Sequence, residues 1–432
     1  MSATRTRRKS ACPSQRSLRQ ASGRRAAAAS RLSRETSLTA AAPDQGRGRL
    51  DVLLASASAG AGHNQVAMAL QASLAALDPA ISCEWKDALA FTPLWFRTQY
   101  VDIYSFIFTQ LPGLYRAGFD FANLPRGPER AAWERARLLS ERRALRRFAD
   151  YLRERRPSLI VHVHPVAAPL VGRMISTGRL DARQMVLVTD YYERVHRVWY
   201  AENVERWFLS SERGIPTLGA WGVPADRITV TGMPVHPKWL APVECRAAAE
   251  RWGLPDGKRI VILTGGTDFV YGPILAIARG LLRARDDVCL VALTGRERRV
   301  AERFARLGQP SDRLVIVPFT EGVHELVEVA DLMITKAGGS ATAECLAKGK
   351  PMVLLRPVYG QETANAAYLA RQGAAIVVRD AAHAVEVTSH LLDNPEALRT
   401  LSANAQRLHR PAAETIAAAI QLAVRDGTSR RH

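Results

Sequence analysis

The run Lys336-Ala337-Gly338-Gly339-Ser340 follows a short apolar segment and leads into a helical stretch that carries Glu344 about a turn further on. Glycines at such a junction let the backbone come close to a ligand, and a helix N-terminus presents unpaired N–H groups to phosphate oxygens. Glu344 is placed to accept hydrogen bonds from sugar hydroxyls. A second loop, Thr264-Gly265-Gly266-Thr267, closes another apolar run. A third, Pro357-Val358-Tyr359-Gly360-Gln361-Glu362, follows a further one and offers an amide and a carboxylate for hydroxyl recognition. Any one of these glycine loops also reads as plain strand-to-helix packing. Three in one region point to a nucleotide-sugar site. No G-x-G-x-x-G follows a strand and no Walker A sequence is present, which disfavours dinucleotide and ATP chemistry.

The elements that must position these loops repeat along the chain. Leu50–Ala55 is a short apolar run that ends in the small residues Ser56–Gly62, and His63 opens a stretch with apolar residues in helical spacing. Strands are expected at 159–164 and 185–190, then, past the turn-rich Thr231–Pro237, at 259–263, 288–293, 314–317, 332–334 and 352–355. Short strands alternating with helices predict an α/β protein with two parallel-sheet, Rossmann-like domains, and two such domains facing a cleft would resemble the GT-B arrangement. The expected division is a basic head over 1–49, a first domain over 50–236, a second over 237–425 and a tail over 426–432. The Pro-rich segment 234–242 would be the hinge.

Composition is that of a globular protein, with 47% hydrophobic and 23% charged residues. The five cysteines are scattered without a C-x-x-C pair, which fits free thiols in a reducing compartment rather than zinc or a redox dithiol. No window has the roughly 18 uninterrupted apolar residues of a spanning helix. Of the net charge of +19, residues 1–50 hold +10. That head is rich in Arg, Ser and Ala with no apolar period. It reads as disordered, whether as a solvated tail, an organelle-targeting segment or a basic arm for anionic lipid. The rest of the chain offers no nucleic-acid-binding module, so no nucleic-acid partner is expected.

Four segments then carry a specific resemblance over residues 50 to about 425. They are Ser58-Ala59-Gly60-Ala61-Gly62-His63; Thr189-Asp190 with His196, Trp199 and Glu202-Asn203-Val204; Thr231-Gly232-Met233-Pro234-Val235; and Thr335–Gly339 through Glu344 with Pro357–Glu362 and Asn365. In these the chain resembles the family of glycosyl-diacylglycerol synthases. Its members include plant monogalactosyldiacylglycerol synthases and bacterial processive diacylglycerol glucosyltransferases of glycosyltransferase family 28, and it is related to the lipid-intermediate N-acetylglucosaminyltransferase of peptidoglycan synthesis.

The resemblance implies an inverting, metal-independent transfer of a hexose from UDP-glucose or UDP-galactose to diacylglycerol. By the same resemblance His63 is the general base, and Asp190 and His196 belong near the site. The backbone of Gly265, Gly266, Gly339 and Ser340 would hold the UDP diphosphate, Gly338 belongs to the same donor site, and Glu344 would hold the ribose. Phe319 would flank the uracil, and Gln361 and Glu362 would read the hexose. Ala61 stands where plant members have Gly, and Ala337-Gly338-Gly339 mixes plant and bacterial versions, so the donor sugar stays open. A polyprenyl-linked or lipopolysaccharide acceptor is the alternative, and a non-catalytic sugar-nucleotide or lipid-binding protein the second. His162 and His164 alternate along an expected strand, but with no third ligand local hydrogen bonding is the expectation, and no metal site is expected.

The acceptor side is read from composition. Six of the chain's eleven Phe fall within 91–121, among them Phe96, Phe106 and Phe108, together with Trp95. Eleven Arg follow between 126 and 156, Arg142 and Arg143 included. Aromatics beside a basic amphipathic stretch read as an interfacial site for anionic membrane lipids, or else as a core helix followed by a solvated one. The first reading predicts a peripheral protein on the cytoplasmic face of a membrane.

Overall fold

The computed structural model describes residues 49–429 except 104–105, 108–109, 125–126, 192–193, 268–271 and 311. The basic head, the last tail residues and Phe108 therefore lie outside the described residues.

Among the described residues, twelve strands form two six-stranded sheets, every pairing parallel. The first sheet holds β1 (Val52–Ser56), β2 (Cys83–Asp87), β3 (Leu159–His162), β4 (Arg183–Val188), β5 (Val204–Leu209) and β6 (Ile228–Val230), in the order β2-β1-β3-β4-β5-β6. The second holds β7 (Arg259–Thr264), β8 (Val288–Gly295), β9 (Leu314–Pro318), β10 (Leu332–Thr335), β11 (Met352–Leu354) and β12 (Ala375–Val377), in the order β12-β11-β10-β7-β8-β9. Strand order reverses between β1 and β3 in one sheet and between β7 and β10 in the other. A crevice opens at such a switch point, beyond the carboxyl ends of the strands.

The central strands are apolar on both faces because helices cover both. Val52 and Leu54 pack into a core shared with the second sheet, while Leu53 and Ala55 pack into the outer layer of the first. The shared core joins Leu187 and Phe208 of the first sheet to Ile262 and Val291 of the second through Met233, Val235 and Trp239 of the connecting segment. That segment, expected as a hinge, is thus packed rather than loose.

The chain crosses between the sheets a second time. The last helix, Ala412–Ser429, expected with the second domain, packs against the Ala61–Leu77 helix of the first. Ile416 and Ile420 are fully buried there, and Gln421 and Arg425 both reach the carboxylate of Asp78 at 2.9 Å. The strand expected at 159–164 stops at His162, so His162 and His164 do not share a strand face. His162 Nε2 donates to Gln184 Oε1 at 2.9 Å, and the Val166 N–H donates to His164 Nδ1 at 3.2 Å. Among the described residues, no three His, Cys, Asp or Glu side chains converge in a way that holds a metal, and no helix is long and apolar enough to cross a membrane.

Candidate active site at the meeting of two helix N-termini

Each switch point sends a glycine turn into a helix, and the two helices meet at their first turns, Gly62 against Ser340. After β1, Gly60 takes φ 106, a conformation that favours glycine, and α1 (Ala61–Leu77) begins. Before α1, the Ser56 hydroxyl donates to Asn64 Oδ1 at 2.5 Å and Asn64 Nδ2 donates to Ser58 Oγ at 2.9 Å, which tie the turn to the strand. Beyond β10, α6 (Gly339–Ala347) starts without a side-chain cap, leaving its first N–H groups available to an anion. A Cβ on Gly62 would come within 3.2 Å of Ser340 Oγ, and one on Gly339 would lie 2.6 Å from the Thr189 carbonyl oxygen. These small residues are what allow the first domain's loops to touch the start of α6.

His63 lies on the first turn of α1. Its Nδ1 is 2.8 Å from the Val163 carbonyl, which only accepts, so the ring proton sits on Nδ1 and Nε2 keeps its lone pair. Thr189 Oγ1 lies 3.3 Å from the same Nδ1. The His164 ring meets His63 edge-on at 4.6 Å, and Tyr100 lies 6.0 Å beyond His164. Burial pushes the His63 imidazole below its ordinary 6.5, partly opposed by the Val163 bond. Burial, then His63, pushes His164 lower still. Both rings are neutral near pH 7, and His63 is poised to accept a proton.

The second domain supplies the other wall. Glu344, on α6, is half-buried, and desolvation pushes its carboxyl up to about 8, with Lys238 opposing. Glu362, on α7 (Gln361–Arg371), is buried, 3.3 Å from Lys336 Nζ, and accepts from the Val358 N–H at 3.4 Å. Its neighbour Gln361 accepts from the Tyr115 hydroxyl at 3.2 Å. Gly265 and Gly266 follow β7, with the Gly266 N–H donating to Thr264 Oγ1 at 3.2 Å. Phe319, just past β9, is 41% exposed, with the Arg296 guanidinium 3.6 Å over its ring.

Two expected site residues have other duties. His196 Nε2 donates to the Phe119 carbonyl at 3.2 Å while its Nδ1 accepts from the Val198 N–H, so both nitrogens are committed to the backbone. Burial pushes it down to about 4, and it closes a turn rather than moving protons. Asp190 faces the second domain, where it accepts from Asn365 Nδ2 at 3.0 Å. Asn365 carried no individual role in the sequence, although it lies one turn beyond Gln361 on the same face of α7, which was the available signal.

The aromatic segment divides. Phe96 is buried against Trp95 and Tyr100, and Tyr115 is buried over Gly360. Leu94, Trp95, Ile103, Phe106, Leu111 and Leu114 are exposed. The helix α2 (Pro112–Asn123) turns its inner side to the second domain, where the Tyr359 hydroxyl donates to Asp120 at 2.5 Å. Arg142 is half-buried and Arg143 exposed, on α3 (Pro128–Ala144), and a groove lined by Arg142, Arg143, Arg146, Arg153, Arg173 and Arg179 runs beneath them.

Residues 63–235 match the monogalactosyldiacylglycerol synthase model, and residues 260–422 match the glycosyltransferase family 28 C-terminal domain. The chain belongs to this glycosyltransferase family. Among its relatives, the processive diacylglycerol β-glucosyltransferase of Bacillus subtilis (strain 168) is 27% identical over 266 residues, covering 61% of this chain and 68% of the relative. That of Bacillus pumilus (strain SAFR-032) is 28% identical over 265 residues, with the same coverage of 61% and 68%. The fold is shared with Acinetobacter baumannii MurG (TM-score 0.53, 16% identity, 87% of this chain and 99% of that one). It is shared also with the S. aureus MnaA–UDP co-structure (TM-score 0.55, 12% identity, 85% and 94%). Both likenesses bear out the two-domain GT-B fold.

Proposed function

We propose that this protein transfers a hexose from UDP-glucose or UDP-galactose to diacylglycerol, with inversion, giving a β-glycosyl-diacylglycerol. The observation that carries the reading is the position of His63. Its tautomer is set by Val163, its ring lies against Thr189, and Thr189 abuts the N-terminus of α6.

In the reaction, His63 Nε2 takes the proton of the acceptor hydroxyl as that oxygen attacks the anomeric carbon. The bond from that carbon to the UDP β-phosphate oxygen breaks with the electron pair leaving on UDP. Backbone N–H groups of Gly265, Gly339 and Ser340 stabilise the growing diphosphate charge, helped by the positive end of α6. The N–H groups of Gly266 and Gly338 are spent on Thr264 Oγ1 and the Lys336 carbonyl, and those glycines serve by letting the backbone come close. Glu344 holds the ribose and Phe319 flanks the uracil. Gln361, with Glu362 braced by Lys336, reads the hexose. No metal is required in this scheme.

The acceptor is a membrane lipid, so the protein docks on the cytoplasmic face of a bilayer. Exposed Leu94, Trp95 and Phe106 enter the interface while Arg142 and Arg143 meet anionic headgroups.

The test is labelled-sugar transfer by purified protein on liposomes holding diacylglycerol and an anionic lipid, with UDP-glucose or UDP-galactose and EDTA. Labelled glycolipid is expected, and a ladder of products would mean that sugars are added in succession. Transfer only to a polyprenyl-linked acceptor would overturn the diacylglycerol reading, and no UDP binding would overturn the donor site.

A further inference from the structure

Asn365 is fully buried, and its side-chain amide is shared between two separate stretches of chain. Its Nδ2 donates to Asp190 Oδ1 at 3.0 Å and to the Ala337 carbonyl at 3.0 Å, and its Oδ1 accepts from the Tyr191 N–H at 2.8 Å. Asp190 and Tyr191 belong to the first domain and adjoin Thr189, whose hydroxyl faces His63. Ala337 belongs to the loop that opens α6. The Tyr191 ring also stacks on Tyr368, one turn along α7 from Asn365, at 4.9 Å and 6°. A substrate that must enter between the domains requires them to separate, and separation breaks the contacts to Asp190 and Tyr191 together, while the bond to Ala337 stays within the second domain.

We propose that Asn365 is a positioning residue that couples closure of the two domains to assembly of the catalytic base. When the domains close, its amide fixes the Thr189–Tyr191 loop. That loop sets Thr189 against His63 and against Gly339 at the start of α6. Base and leaving-group site are thus brought into register by one side chain that touches neither reacting atom. An amide suits the position because it donates to a carboxylate and a carbonyl while accepting from an N–H. An aspartate there would set a second carboxylate against Asp190 and leave the Ala337 carbonyl unpaired.

The inference rests on the reading of His63 as the base, and the experiment separates the two. The full-length variants N365D, D190N and the double exchange D190N/N365D would be assayed for kcat and KM on liposomes, for UDP affinity by calorimetry, and for hydrogen exchange at the 189–191 segment. N365D is expected to lower kcat about a hundredfold, the scale of a misplaced catalytic group, with UDP affinity within about threefold of wild type. The double exchange is expected to regain at least about tenfold, since the 190–365 bond re-forms with donor and acceptor reversed. Exchange at 189–191 should quicken in N365D and slow again in the double variant. A kcat within about threefold of wild type in N365D overturns the proposal. So does a loss confined to KM that depends on the hexose offered and is not rescued, for Asn365 then reads the sugar. If the wild type transfers no hexose, the functional reading has failed by itself and exchange decides: unchanged protection at 189–191 in N365D overturns the coupling, and lost protection with UDP affinity kept upholds it.

Discussion

The interdomain cleft and the first domain's outer surface, drawn from residues 94–179, handle polar groups in opposite ways. In the cleft, polar side chains are withdrawn from solvent and partnered: half-buried His63 with Val163 and Thr189, buried Asn365 with Asp190, Tyr191 and Ala337, buried Glu362 with Lys336. On the outer face, large apolar groups such as Leu94 (70% exposed) and Phe106 (58% exposed) stand in solvent, and Arg142, Arg143, Arg146 and Arg173 form no ion pair among the described residues. Moving a proton requires groups already oriented and dehydrated, whereas gripping a charged surface requires groups left unspent. If this contrast is correct, changes in the cleft act on turnover, and changes on the outer face act on where the protein resides.

The strongest test of the first half is His63→Ala. Loss of a positioned base should lower kcat by about 10² to 10⁴, with UDP affinity and melting temperature kept. In the wild type, burial holds the imidazole below its ordinary value of 6.5, so the neutral, active form persists to lower pH than a free histidine allows. The acid limb of the kcat profile should accordingly fall below 6.5, and a limb above it would contradict a dehydrated base. Next in size is a pair of glycine substitutions. A Cβ on Gly339 would lie 2.6 Å from the Thr189 carbonyl, whereas one on Gly113, in α2, meets nothing within 4 Å. Gly339→Val should part the domains and cost about a hundredfold in kcat/KM, while Gly113→Ala should be silent. Equal effects would show that the two regions do not differ in packing as described.

The outer face is tested by Arg142→Gln with Arg143→Gln. At about 1 kcal/mol for each arginine near an anionic surface, the pair should weaken liposome binding roughly thirtyfold. Turnover of a dispersed short-chain diacylglycerol should be unchanged, and a drop there would place these arginines in the cleft's work.

The same contrast governs what the sequence made legible. Strands β1, β3, β4 and β7–β11 are legible because they are continuous apolar runs, buried on both faces in all but the edge strand β9. β2, Cys83-Glu84-Trp85-Lys86-Asp87, is a half-buried edge strand whose charges hide it. β5 opens Val-Glu-Arg before its apolar half, and β6 and β12 have only three residues each. The glycine loops were legible because they follow apolar strands, and parallel topology then carries them to the switch points. The role of Asn365 was not, because its partner Asp190 is 175 residues away, and only the closed arrangement joins them. Nor did composition separate Phe96, which is buried, from Phe106, which is exposed. A wider, π-helical turn over Thr98–Ile103 lies between them and shifts the helical phase.

The smallest effect is also the most diagnostic of dehydration in the cleft. Glu344 has its carboxyl pushed up to about 8 by burial, from an ordinary 4.5. A group that is more basic in the folded than in the unfolded state binds a proton on folding across the interval between the two values. Its contribution is therefore present at acid pH, declines as pH rises above 4.5, and is fully lost above about 8. Glu344→Gln keeps the neutral shape at every pH. Its melting temperature should match that of the wild type near pH 5 and exceed it by about a few degrees near pH 9. UDP should narrow that gap if ribose hydroxyls meet the carboxylate, because the ligand then stabilises the charged form that burial opposes. A variant that melts at the same offset from wild type at both pH values would mean that Glu344 stays hydrated, and that the wall of the cleft is as wet as the arginine face outside it.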